Sequence, residues 1–129
     1  ACLRETFEKG WQWTGGVFGN DGCLYILPTM ARRLLKFDPS TQRTVGVGQD
    51  LGVVRYKWNG GVLAQNGCIY GIPNRSSRFV KYDPIKEESS LVGDHLSHGI
   101  SCNAVVANDD CIYGISHNNG YILRFDTIT

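Results

Sequence analysis

Neither sign of charge dominates this sequence: 13 Lys and Arg stand against 12 Asp and Glu, a formal net charge of +1 over 129 residues. That balance excludes the basic footprint of a dedicated nucleic-acid binder. No apolar run reaches the 18 or more residues of a membrane span, and no basic stretch leads into an apolar one as in a signal peptide. A soluble chain with no nucleic-acid and no membrane partner is therefore expected. Also missing are a G-x-S-x-G elbow, a P-loop and the paired-His motif of metalloproteases. No cofactor is expected. Methionine occurs once, and no segment sustains the apolar period of a helix. Five cysteines are an odd number, which argues against a disulfide framework.

What is abundant is glycine (16) and aromatic residues (3 Trp, 6 Tyr and 5 Phe), the composition of β structure with tight turns. The length suits one domain with a packed core. An internal repeat organises it. From Trp13 the chain reads WTGGVFGNDGCLYILPTMARRLLKFDP, and from Trp58 it reads WNGGVLAQNGCIYGIPNRSSRFVKYDP, with 12 of 27 positions identical at an offset of 45. A third copy, at an offset of 43, begins at Ser101 and has lost the Trp, both glycines and the Pro. Each copy holds short runs bounded by turn residues. In the first copy the predicted strands are 17–19, 23–27, 33–37 and 43–47, with turns at Asn20-Asp21-Gly22 and Asp38-Pro39-Ser40-Thr41. Leu35 and Phe37 should point one way, Leu34, Lys36 and Asp38 the other.

Four antiparallel strands per repeat of 40 to 45 residues make the blade of a β-propeller. The runs G-C-[LI]-Y-x-[LI]-P and K-[FY]-D-P resemble the blades of kelch-like and NHL-like or gluconolactonase-like propellers, over Trp13 to Thr129. The resemblance implies an all-β architecture rather than a particular activity. The expected organisation is one repeat domain over 1–129: 1–12 a closing strand and connection, 13–57 repeat 1, 58–100 repeat 2, and 101–129 repeat 3, completed by 1–12. Three blades cannot close a ring, so the chain is expected to form half of a six-bladed ring as a homodimer, or part of a longer chain. The alternative is a β-trefoil, also built from three repeats of about 40 residues. The Gly-Gly-Val opening favours the propeller, whose first strands crowd around an axis. The exposed walls of the end blades are expected around Leu35 and Phe37 and around Leu123 and Phe125.

The expected function is a non-enzymatic binding module. It would recognise a protein or glycan through loops 29–33, 48–58, 74–78, 94–102 and 116–120 on one face. A β-trefoil lectin and a metal-dependent propeller hydrolase of lactonase or esterase type are the alternatives. Candidate ligand-binding residues are Trp13, Trp58, Arg32, Arg75, His95, His98 and His117. Asp94, His95, His98, Cys102 and His117 are weak metal-ligand candidates, in a spacing that matches no established zinc module. Cys23, Cys68 and Cys111 recur at one repeat position and should be half-buried hydrophobes, whereas Cys2 and Cys102 could bridge the closing elements. Tyr25, Tyr70 and Tyr113 should pack between blades with their hydroxyls at the rim. The pairs Lys36/Asp38, Lys81/Asp83 and Arg124/Asp126 suggest ion pairs or turn caps. Asn74-Arg75-Ser76 is a glycosylation sequon, relevant only in a secreted protein.

Overall fold

The computed structural model describes residues 13–52, 57–74, 78–94, 102–107, 109–116, 120 and 122–128. These form eleven strands and no helix among the described residues. The first sheet has the order β1 (Trp13–Phe18), β2 (Leu24–Pro28), β3 (Leu34–Asp38), β4 (Arg43–Val47). The second repeats it with β5 (Trp58–Leu63), β6 (Ile69–Pro73), β7 (Phe79–Asp83) and β8 (Glu88–Val92). The third sheet contains β9 (Cys102–Val106), β10 (Cys111–Ser116) and β11 (Ile122–Asp126). All pairings are antiparallel between neighbours in sequence, so each sheet is a meander and thus a propeller blade. The β-trefoil alternative is not supported: the described strands form three separate sheets that pack face to face.

The strand read as 17–19 begins at Trp13 instead. The reason is a β-bulge: the register of β1 on β2 shifts between Thr14 and Gly16, and that of β5 on β6 between Trp58 and Gly61. Gly15 and Gly60 take up the extra residue with φ of +63° and +75°. A side chain on Gly15 would sit 2.9 Å from the Gly60 Cα. The innermost strands of the first two blades therefore approach backbone to backbone, which is what the double glycine provides.

Between the blades lie two cores. Cys23, Tyr25, Leu27 and Leu34 of the first blade meet Trp58, Ile69, Val80 and Tyr82 of the second. On the other side of the second blade, Cys68, Tyr70, Ile72 and Phe79 meet Ile112, with Leu123 and Phe125 packed against them. Adjacent residues of one strand serve opposite cores, so Phe79 and Val80 are both buried. Such a strand is apolar on both faces, unlike a strand with one side in water. Aromatic pairs tie the blades: Tyr25 and Tyr82 are tilted with centroids 5.3 Å apart, and Phe79 stacks on Phe125 at 4.4 Å.

This arrangement corrects one expectation. Leu123 and Phe125 face the second blade, not the open side. Strand alternation turns Ile115 and Ile122 outward instead, where they are 61% and 69% exposed. The N-terminal closing strand and a Cys2–Cys102 bridge involve positions 1–12, outside the described residues.

Candidate functional site

Two kinds of turn sit at the opposite ends of each blade. At one end are the β1–β2 and β3–β4 hairpins. Here Asp21 Oδ1 accepts the Cys23 amide at 3.0 Å while its Oδ2 accepts the Tyr25 hydroxyl at 2.5 Å. Asp109 repeats this on the Cys111 amide and Tyr113 hydroxyl, whereas Asn66 accepts the Cys68 amide at its Oδ1 but donates from its Nδ2 to the Tyr70 hydroxyl. Asp38, Asp83 and Asp126 accept backbone amides two residues on, so these aspartates are turn caps. Cys23, Cys68 and Cys111 are buried free thiols, and burial pushes each of them up from its ordinary pKa. At this end these side chains set the turns.

The opposite end carries the β2–β3 and β4–β5 connections of the first blade and the start of the β6–β7 connection of the second. Backbone bonds lace them together: Leu51 donates to the Arg32 carbonyl, Lys57 to the Thr29 carbonyl and Asn74 to the Lys57 carbonyl. Thr29 Oγ1 donates to the Trp58 carbonyl across the blade boundary. On this frame Arg32 Nε donates to Asp50 Oδ2 at 2.6 Å, with both side chains exposed. The Arg32 guanidinium, helped by the Gly52 amide, holds Asp50 below the usual carboxylate range. Lys57, near enough to feel both charges, is buried to 1% exposure. Desolvation first, and then Arg32, lowers its pKa, while Asp50 opposes the shift.

Of the candidates named from sequence, Arg32 and Trp58 come to this end, with different fates. Arg32 is on the surface, but Trp58 is core: its ring is 1% exposed and its indole N–H donates to the Arg78 carbonyl at 2.9 Å. A buried ring cannot serve as a stacking platform for a ligand. Trp13 is half-buried and makes the equivalent bond to the Arg33 carbonyl at 3.0 Å. Arg33 and Arg78 then reach the carbonyls of Gly48 and Gly93 at the end of the outer strand. Asp94 is exposed and Cys102 opens β9; Arg75, His95, His98 and His117 lie outside the described residues. Among the described residues no three His, Cys, Asp or Glu side chains gather as a metal site. Asp50 and Lys57 went unnoticed in the sequence. Neither is repeated, and the only signal for Lys57 was its place one residue before an entrance Trp.

The meanders and the two inter-blade cores define a β-propeller-type protein. Among solved structures the chain is similar to the BT4673 extracellular domain from B. thetaiotaomicron, with 12% identity and a TM-score of 0.65, covering 93% of this chain and 17% of that one. It is similar at the same identity and TM-score to virginiamycin B lyase from Staphylococcus aureus, a catalytically inactive form with quinupristin, covering 91% of this chain and 42% of that one. The chain thus spans less than half the length of either. At this identity the likeness is one of fold, and it does not single out kelch-like or NHL-like blades. No protein-family model and no curated protein sequence matches the chain.

Proposed function

We propose that the chain is a non-enzymatic binding module that uses its loop-bearing end to recognise a protein or glycan partner. The observation carrying this reading is the exposed Arg32–Asp50 pair on connections that backbone bonds lace together, with Lys57 buried on the same connection as Asp50. Polar side chains fixed on a rigid frame reach a partner with little ordering cost. The guanidinium offers five donors, of which the Asp50 contact takes the one on Nε. That suits the oxygens of sugars, carboxylates or peptide carbonyls. A hydrolase of the lactonase or esterase type finds less support. Its metal would need acidic groups near the axis, where β1, β5 and β9 carry the sequences WTGGVF, WNGGVL and CNAVV without a carboxylate.

The test is a printed array of acidic and neutral glycans together with an immobilised peptide library, probed with the wild type, Arg32→Ala and Asp50→Asn. The expected result is a small set of positives from one of the two collections that both variants weaken about tenfold or more, as truncation at the centre of an interface does. Binding that survives both variants but is lost with Asn66→Ala would place the binding surface at the opposite end.

A further inference from the structure

We propose that the open face of the third blade is a docking surface for a second copy of this chain, and that two copies close a six-bladed ring. Two outward side chains carry the argument. Ile115 and Ile122 are directly paired across β10 and β11, and they are 61% and 69% exposed. In the first blade the same repeat positions are Leu27 and Leu34, both at 0% under the second blade. In the second they are Ile72 and Phe79, both at 3% against the third. Each time this surface occurs inside the chain, then, it is covered by a following blade. Two isoleucines left in water at such a position mark an interface rather than a finished surface.

The blade that covers this surface has a recognisable chemistry. It presents an aliphatic residue at the start of its second strand, an aliphatic residue in the third and an aromatic two positions later, as Ile112, Leu123 and Phe125 do in the third blade, and the second blade adds an entrance Trp. In the second blade these are Trp58, Ile69, Val80 and Tyr82, all at 1% exposure or less. The first blade holds the same set as Trp13, Leu24, Leu35 and Phe37. Three of these four, Trp13, Leu24 and Phe37, are half-buried where their counterparts are fully buried. One chain thus carries both halves of the blade-to-blade contact, one at each end of its arc. A contact between unlike surfaces closes only if the rotation completes a circle. Two arcs of three blades make six, within the usual four to eight. In that ring both junctions are identical and continue the contact already made twice within the chain.

Sedimentation of the 129-residue chain over a hundredfold concentration range tests this without any substitution. The expected species has twice the chain mass. A stable species of one chain mass overturns the proposal, since the face then stays uncovered, as does open-ended aggregation, since the contact then does not close. Two variants check the surface: Ile122→Glu should halve the mass, while Ile85→Glu, at a hairpin tip and 94% exposed, should leave it doubled. Far-UV circular dichroism establishes that both still fold. A dimer that survives Ile122→Glu and Ile115→Glu together overturns the assignment to this face.

Discussion

The Tyr25 hydroxyl and the Asp21 carboxylate are 2.5 Å apart, and the same carboxylate also accepts the amide of Cys23 midway between them. One acidic side chain therefore sets the hairpin turn and anchors a ring whose body fills the core between two blades. The second blade does this with a neutral amide, Asn66, at 3.0 Å from the Tyr70 hydroxyl. Hydrogen bonds to charged groups are worth about 1.5–3 kcal/mol and neutral ones about 0.5–1.5. Tyr25→Phe should accordingly destabilise by about 2 kcal/mol and Tyr70→Phe by about 1, read from urea midpoints at unchanged slope. Equal losses would mean that the charge at Asp21 adds nothing.

Acid should loosen the molecule at its turns. In Asp21 burial works to raise the pKa, but the bonds from Tyr25 and Cys23 and the charge of Lys36 outweigh it, and the pKa is lowered. Asp38 is lowered by Ser40, Asp50 by Arg32 and Asp109 by Tyr113. A carboxylate depressed in the folded state contributes stability that is present above its unfolded value, near 3.8, and lost as pH falls through the folded one. Thermal midpoints should thus be flat from pH 7 to 5 and fall below pH 4. Asp21→Asn should flatten part of that fall.

Alkali acts on the core instead. Desolvation, first, then the bond to Asp21, raises Tyr25, and desolvation pushes Tyr82 up to about 12. Both rings stay neutral in the folded chain while the unfolded chain ionises near 10, so their stabilising share is complete below pH 10 and declines above it. Ultraviolet titration of the six tyrosines should show at least two that ionise only above pH 11, and in step with unfolding.

Gly15→Ala tests the close approach of the inner strands. The residue has φ of +63°, and its new methyl would lie 2.9 Å from the Gly60 Cα, a backbone atom that cannot swing aside. Strain and overlap together should cost about 2–4 kcal/mol. Gly22→Ala, where φ is +80° but nothing lies within 4 Å, should cost only the strain, about 1 kcal/mol. Similar midpoints for the two variants would show that the inner strands can part freely.

The repeat made the architecture legible, because duplicated turn residues fix strand ends twice over: Gly22 and Gly67 sit at the same turn, and Asp38 and Asp83 at the same cap. What escaped was phase. Leu123 and Phe125 looked like an outer face because a strand apolar on both sides has no alternation to orient it, as Phe79 and Val80 demonstrate. The bulge at Gly15 was hidden for a related reason, since an inserted residue interrupts the apolar alternation and the pattern starts later than the strand. The candidate site was barely readable. Arg32 was visible as a loop cation, but its partner Asp50 is 18 residues away, and only the folded backbone brings the two connections together.

The tie from tryptophan to arginine to glycine has a consequence for how such a chain changes over generations. Trp13 on the innermost strand, Arg33 before the third and Gly48 after the fourth belong to one copy, and Trp58, Arg78 and Gly93 reproduce them 45 positions on. Every partner in the tie is inherited in the same stretch of sequence. A copied stretch arrives already braced from its inner to its outer strand, needing only an apolar neighbour on either side. Gain or loss of whole copies then becomes an easier path for the lineage than insertion within one, and the loop-bearing ends can diverge while the brace is kept. The unrepeated Asp50 and Lys57 lie between two braced copies, where the brace itself fixes no residue.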